Sequence, residues 1–153
     1  MRQPIQILVI PYQVISRELY FFILKRADMN KWQWVAGGVE QNEDVNDAAI
    51  REAEEELGIQ ITKKENLLRL ESYCTMPRSI FDCEAYWPKT FYTVKEFSFA
   101  LKLDNTTAIS ISDEHLQFKL IRYSDLVKFK TWDSNRTAAW ELNERLKDLG
   151  EKD

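Results

Sequence analysis

The chain of 153 residues contains 44% hydrophobic and 30% charged residues, with 25 acidic and 21 basic side chains and a formal net charge of −4. This composition is typical of a globular protein and excludes a mainly disordered chain, and the negative charge excludes an overall field that attracts nucleic acid or anionic lipid. The length suits one hydrophobic core, so we expect a single domain over residues 1–153.

The short apolar runs and the low number of cysteines indicate a cytoplasmic protein. The longest apolar run, residues 7–10, is far too short to cross a bilayer, and the first residues lack the apolar stretch of a signal peptide. The two cysteines, Cys74 and Cys83, form neither a disulfide framework nor a zinc motif. We therefore expect a cytoplasmic protein with two inert, reduced thiols.

The first half of the chain predicts strands followed by a helix. Residues 5–10, rich in β-branched side chains, predict a strand, and residues 19–24 predict its hairpin partner. Residues 32–35 predict a short strand that ends at two glycines. Residues 43–57 contain no Gly or Pro and are rich in Ala, Glu and Arg, which predicts a helix, with Gly58 as its left-handed stop.

The second half predicts more strands and a final helix. Three strands are expected at residues 67–74, 94–103 and 116–121. The aromatic-rich stretch 75–93 predicts a structured insertion loop, and Ser134 is a candidate cap for a helix that ends near residue 149. The expected fold class is therefore α+β, an α/β/α sandwich in which a mixed sheet is packed between helices.

The predicted helix at 43–57 carries an acidic face. At about 100° per residue, Glu52, Glu55 and Glu56 fall within an arc of about 100°. They lie near the helix end where the dipole is already negative, and Arg51 is the one neighbouring cation that can pair with them. A solvated acidic helix is one interpretation. The other is a site for a hard divalent cation, because Mg²⁺ prefers oxygen ligands.

The spacing Gly37-x5-Glu43-x7-Arg51-Glu52-Ala53-x-Glu55-Glu56-x-Gly58-Ile59 resembles the complete box of the Nudix family. Every fixed position is filled, and Asn42, which tolerates left-handed backbone, stands where a glycine is often found. The order of strands and helices is also similar to the Nudix fold. Members of the family hydrolyse a nucleoside diphosphate linked to another group, using Mg²⁺ or Mn²⁺.

The resemblance implies roles for the box residues. The implied catalytic carboxylates, which are also metal ligands, are Glu52, Glu55 and Glu56. One of them would orient or deprotonate the attacking water, and which one does so is left open. The carbonyl of Gly37 would add a metal ligand, and Glu43 and Arg51 would form an ion pair that holds the loop to the helix.

Segments outside the box are similar to those of bacterial dihydroneopterin triphosphate pyrophosphohydrolases, a Nudix subgroup also described as dATP pyrophosphohydrolases. The matching segments are residues 32–35, 113–116 and 129–136. The subgroup uses a glutamate at the position of Glu114 as a metal ligand, whereas a surface carboxylate is the alternative interpretation. The implied reaction converts a triphosphate of a flat bicyclic heterocycle to a monophosphate and pyrophosphate.

Residues that flank the box are predicted to bind the substrate, namely Lys25, Arg26, Trp34, Thr131 and Trp132. The two cations can reach a phosphate tail or can be solvated strand-end charges. The indoles of Trp32, Trp34 and Trp132 can stack on a flat ring or belong to the core. The one histidine of the chain, His115, is interpreted as a structural residue.

Other activities remain open at this point. Dinucleoside polyphosphate hydrolases tend to carry a tyrosine, and ADP-ribose pyrophosphatases a proline, a short distance past the box. That window, residues 74–77, contains no tyrosine and ends on Pro77. A nucleotide-binding module without hydrolysis is the rival to an enzyme, but such a module is expected to lose box carboxylates. We expect a small-molecule substrate and no nucleic acid or membrane partner, and the oligomeric state is left open.

Overall fold

The computed structural model describes residues 2–81 and 87–150, and a seven-stranded sheet and two α-helices lie within these ranges. The strands are β1 (Arg2–Ile15), β2 (Glu18–Arg26), β3 (Trp32–Gln33), β4 (Val35–Glu40), β5 (Leu67–Pro77), β6 (Thr93–Lys102) and β7 (His115–Ile121). The helices are α1 (Val45–Leu57) and α2 (Asp133–Gly150).

The long strand β1 organises the sheet. It pairs in parallel with β6 along one edge, and β5 continues the sheet beyond β6 in antiparallel pairing. Along its other edge, the first part of β1 pairs with β4 and the last part with β2. Strands β3 and β7 both pair with β2. The sheet is therefore mixed, as the sequence predicts.

The side chains of β1 alternate between two cores, one on each face of the sheet. Ile7 and Val9 belong to the core that contains the apolar side of α1. Leu8 and Ile10 belong to the core that contains the apolar side of α2. We call these the α1 face and the α2 face. The predicted α/β/α sandwich is confirmed.

Local hydrogen bonds fix the ends of α1. The helix begins at Val45, two residues later than predicted, because the side chain of Asp44 caps it by accepting a hydrogen bond from the backbone N–H of Asn46 at 3.0 Å. It ends at Leu57, and Gly58, with a φ of 62°, is the predicted left-handed stop. Asn42 has a φ of 67°, which confirms that the asparagine adopts left-handed backbone.

The single short strand predicted at residues 32–35 is wrong, because the structure divides it into β3 and β4. The division falls at Trp34, whose backbone N–H donates to the side-chain oxygen of Asn135 at 3.1 Å and not to a neighbouring strand. The indole of Trp34 also donates to the backbone carbonyl of Asn135 at 2.9 Å. An anchor on α2 thus interrupts the ladder.

The later elements differ from the prediction at their ends. Strand β5 continues to Pro77, and a short 3-10 helix (Arg78–Ile80) follows it. Helix α2 begins at Asp133, so Ser134 lies inside its first turn and the predicted cap is wrong. Cys74 is a free thiol, and Cys83 lies outside the described residues. Among the helices of the described ranges, none has the length and apolar content needed to cross a membrane.

Candidate active site

A network of hydrogen bonds ties the loop before α1 to the helix. Arg51 donates to both carboxylate oxygens of Glu43, each at 2.9 Å, and also to the carbonyl of Gly38 at 2.9 Å. One oxygen of Glu43 accepts in addition from the backbone N–H of Glu40 at 2.9 Å. Hydrogen bonding to Arg51 lowers the pKa of Glu43. The ion pair that the sequence predicts is present, and it fixes the loop against the helix.

The same arginine positions Glu52. Its third guanidinium nitrogen, Nη1, donates to the Glu52 carboxylate at 2.8 Å and lies 3.6 Å from the carboxylate of Glu55. The Glu52 carboxylate lies against Gly37, where a Cβ atom would collide with it. Burial raises the pKa of Glu52 although the bond to Arg51 opposes this. Glu55 is different, because 60% of its side chain is exposed.

Glu56 is the most perturbed carboxylate of the group. Its side chain is buried, and neither oxygen has a hydrogen-bond partner among the described residues. Burial, with the nearby charges of Glu114 and Glu52, raises the pKa of Glu56 to about 9. A buried carboxylate without a partner is costly to keep. Such a group is a candidate for function, because its missing partner can be a bound ligand.

The segment before β7 brings Glu114 to the end of α1. The last carbonyls of a helix lack partners within the helix, and here the backbone N–H of Ser110 donates to the carbonyl of Leu57 at 2.8 Å. Similarly, the N–H of Ser112 donates to the carbonyl of Glu56 at 3.1 Å. Because the segment is held at the helix end, the residues that follow it reach the acidic face.

Glu56, Glu114 and His115 form a cluster whose candidate ligand atoms all lie within 4.8 Å of one another. Nδ1 of His115 lies 3.6 Å from Oε1 of Glu56. Burial and the charge of Arg26 lower the pKa of His115, which favours the neutral imidazole. The sequence alone predicts a structural role for His115 and does not place it beside the acidic face, although its position directly after Glu114 is a signal.

Trp132 is the predicted substrate residue that the structure leaves most accessible. The residue is 37% exposed, and two cations lie over its ring, with Lys31 Nζ 5.3 Å and the guanidinium carbon of Arg26 5.9 Å from the ring centre. Arg26 also pairs with Asp28 at 2.5 Å. The backbone N–H of Ala27 donates to the carbonyl of Glu114 at 3.0 Å. The exposed ring of Trp132, with Arg26 over it, therefore lies next to the segment that carries Glu114.

The other predicted substrate residues lie less openly. Lys25 lies opposite Trp32 in the β2–β3 ladder. Thr131 is buried, and its hydroxyl has no partner among the described residues. Trp34 is fully buried against Phe21, with ring centres 5.4 Å apart. The structure thus gives Trp34 a core position where no ring can stack on it, which corrects its predicted role in binding.

The comparisons with known proteins agree with this geometry. A family model described as NUDIX domain matches residues 8–140. The chain belongs to the Nudix family. This Nudix chain is 30% identical over 140 residues to dihydroneopterin triphosphate diphosphatase of Escherichia coli strain K12, a match that covers 90% of each protein. The predicted family is confirmed, and the chain is a Nudix hydrolase.

Solved structures support the same assignment. A NUDIX hydrolase from Listeria monocytogenes str. 4b F2365 has a TM-score of 0.85 and 35% sequence identity, with 97% of both chains covered. The E. coli dihydroneopterin triphosphate pyrophosphohydrolase has a TM-score of 0.73 and 26% identity, with 93% of this chain and 97% of that chain covered.

Proposed function

We propose that this Nudix hydrolase is a divalent-metal-dependent pyrophosphohydrolase. Its substrate would be a triphosphate of a flat bicyclic heterocycle, either dihydroneopterin triphosphate or a dATP-like purine nucleotide, and its products the monophosphate and pyrophosphate. The relative in E. coli that acts on dihydroneopterin triphosphate supports this substrate class. The observation that carries the proposal is the buried, unpartnered carboxylate of Glu56 beside Glu114.

The acidic cluster fits a divalent cation. Two unpartnered oxygens of Glu56 face the carboxylate of Glu114 and the imidazole of His115, and oxygen donors with net negative charge are what Mg²⁺ or Mn²⁺ requires. The residues that would hold the metal are Glu52, Glu55, Glu56, Glu114 and the carbonyl of Gly37. When bound, a divalent cation would neutralise the oxyanions of the pyrophosphate and acidify a water.

The residues of the chain would then direct the hydrolysis. A carboxylate among Glu52, Glu55 and Glu56 takes a proton from the attacking water. The water oxygen bonds to the α-phosphorus, the bond from that phosphorus to the bridging oxygen breaks, and pyrophosphate leaves. The pair of Glu43 and Arg51 keeps Gly37 and Glu52 in place throughout, because it joins the loop to the helix.

The substrate itself would lie between the acidic cluster and the start of α2. Lys25 and Arg26 would bind the phosphate tail as charged donors, and the exposed indole of Trp132, next to Thr131, would stack on the ring. We propose that residues 1–153 act as one catalytic domain on this small molecule in the cytoplasm, without nucleic acid or membrane partners. The low cysteine count and the net negative charge support that location and that partner class.

A panel of substrates in ¹⁸O-labelled water tests the proposal. The panel holds dihydroneopterin triphosphate, dATP, dGTP, ADP-ribose and a diadenosine polyphosphate, each with Mg²⁺ and with a chelator. We expect Mg²⁺-dependent release of pyrophosphate from a triphosphate, with the label in the monophosphate because attack is at the α-phosphorus. Label in the pyrophosphate, faster cleavage of ADP-ribose, or no hydrolysis at all would overturn the proposal.

A further inference from the structure

A second buried carboxylate, that of Glu96, is unused by the mechanism above. Glu96 lies on β6 and is only 6% exposed. The thiol of Cys74 donates to its Oε1 at 3.6 Å. Burial raises the pKa of Glu96, and hydrogen bonding to Cys74 and Ser134 opposes that rise. Glu96 forms no ion pair with any residue of the described ranges. Keeping a carboxylate in such surroundings costs free energy, which makes Glu96 a candidate for a function in binding.

The neighbours of Glu96 link it to the loop of the active site. Across the sheet, Glu96 lies beside Gln6 of β1, and Gln6 lies beside Gly38 of β4. Residues paired in this way point to the same face of the sheet, here the α2 face on which Ser134 begins the helix. Two strand spacings separate Glu96 from Gly38, which is roughly 10 Å. The next residue is Gly37 of the proposed metal site, which pairs with Ile7 and contacts Glu52 on the α1 face.

Glu96, Gln6 and Gly38 form a row across the sheet, and the Gly38 end of this row carries hydrogen-bond donors. The side chain of Arg2 lies against Gly38, where a Cβ atom would collide with it. Arg2 donates to the side-chain oxygen of Gln6, and within the described ranges the amide nitrogen of Gln6 makes no hydrogen bond. The Nε atom of Arg2 is buried and has no hydrogen-bond partner among the described residues. The row therefore presents donors near Gly38 and an acceptor pair at Glu96.

We propose that Glu96 selects the ring of the substrate by pairing with the N–H and amino group of a 2-amino-4-oxopyrimidine. Pterins and guanine share this ring edge. Both donors of the edge then meet carboxylate oxygens, and the neighbouring oxo group faces the donors of Gln6 and Arg2. Adenine presents one amino donor beside a ring nitrogen that is an acceptor, so one carboxylate oxygen would stay unpaired. This inference rests on the proposed function and narrows its substrate to pterin and guanine triphosphates.

The substitution Glu96→Gln tests this pairing, because it changes the hydrogen-bonding groups of the side chain at nearly constant shape. The glutamine amide has one acceptor oxygen and one donor NH2 group, so in either orientation one of the two ring donors faces a like donor. The matched control is Glu71→Gln on β5, where 90% of the side chain is exposed. Each variant and the wild type are assayed for kcat/KM on dihydroneopterin triphosphate, dGTP and dATP, for binding of GMP and AMP by calorimetry, and for Tm.

We expect the wild type to prefer dGTP and dihydroneopterin triphosphate over dATP. In Glu96→Gln this preference should fall at least about tenfold, as for loss of a charged hydrogen bond to substrate, while Tm stays equal or rises because a buried charge is removed. Glu71→Gln should keep the wild-type preference. An unchanged preference, or a lower Tm with equal losses on all three substrates, would overturn the inference and leave the proposed function standing.

Binding of the monophosphates separates the two proposals. If the wild type hydrolyses no triphosphate, the proposed function fails, yet GMP and AMP still report on the ring site. GMP binding that is tighter than AMP binding, and that is weakened by Glu96→Gln, supports the role of Glu96. GMP binding that is no tighter than AMP binding, or no binding of either, overturns it.

Discussion

Nδ1 of His115 lies 3.6 Å from Oε1 of Glu56, and neither atom has a hydrogen-bond partner among the described residues. The pKa of the carboxyl is raised and that of the imidazole is lowered, in each case mainly by burial. Burial therefore favours the neutral form of both groups, so the two do not stabilise each other as an ion pair. We interpret the pair as a site that is completed by a ligand.

The first prediction concerns stability in the absence of metal. The pKa of Glu56 is about 9 in the folded protein and near the ordinary 4.5 in the unfolded chain, so between these values the unfolded chain binds fewer protons and stability falls as pH rises. Glu56→Gln removes this loss. With a chelator present, its Tm should exceed that of the wild type by at least about 3 °C at pH 8, and the difference should shrink towards pH 5. A wild type that is the more stable at both pH values would contradict this.

A second prediction concerns Glu114, which lies outside the box. If it helps to hold the cation, Glu114→Gln should raise the Mg²⁺ concentration for half-maximal rate at least about tenfold, a loss of about 1.4 kcal/mol in metal binding. Asp113→Asn is the control, because that neighbouring side chain is also exposed but is not in the cluster. The measurement is the rate as a function of Mg²⁺ concentration. Equal shifts of the half-maximal concentration in both variants would show that Glu114 does not bind the metal.

A third prediction concerns the pair of Glu43 and Arg51. Glu43→Gln weakens two hydrogen bonds to a charged group, so unfolding should become easier by about 1–3 kcal/mol. The rate should also fall, because Arg51 positions Glu52 as well. Thermal unfolding and steady-state assays measure the two effects. Glu40→Gln, an exposed side chain at the end of β4, should change neither, and a Glu43→Gln protein with wild-type stability and rate would refute the assigned role.

A fourth prediction distinguishes the roles of Trp132 and Trp34, the two tryptophans predicted to bind the substrate. Trp132→Ala should raise KM by tens-fold with Tm nearly unchanged, because ring stacking is worth about 1–3 kcal/mol. Trp34→Ala should instead destabilise the fold by about 3–5 kcal/mol, since it empties a core position. Trp140→Ala, half exposed on α2, is the control for surface indoles. If Trp132→Ala leaves KM unchanged, the ring does not bind on that indole.

The acidic face of α1 could be predicted because helix geometry alone decides it. Residues three or four apart lie on the same side of a helix, so Glu52 and Glu56 must be neighbours whatever the remaining fold. His115 could not be placed in this way, because its position beside Glu56 depends on contacts distant in sequence. These are the hydrogen bonds of Ser110 and Ser112 to the end of α1 and the pairing of His115 with Arg26.

The tryptophans illustrate a different limit. Adjacent residues of a strand point to opposite faces, but the sequence does not say which indoles lie beneath α2 and which remain open. Trp34 lies in the core because Asn135 holds both its backbone and its indole, whereas Trp132, just before α2, stays exposed. The burial of Glu96 likewise cannot be predicted from the sequence, because it depends on how α2 packs on the sheet.

The rate of pyrophosphate release from dihydroneopterin triphosphate with Mg²⁺ tests the central claim most directly, measured for the wild type, Glu56→Gln and Glu54→Gln. Glu54 is the matched control, since its carboxylate accepts from the N–H of Ile61 at 2.9 Å and a glutamine oxygen can do the same. We predict a loss of about 10²-fold or more for Glu56→Gln and a change within about twofold for Glu54→Gln. Equal losses in both variants, or a wild-type rate for Glu56→Gln, would contradict the account.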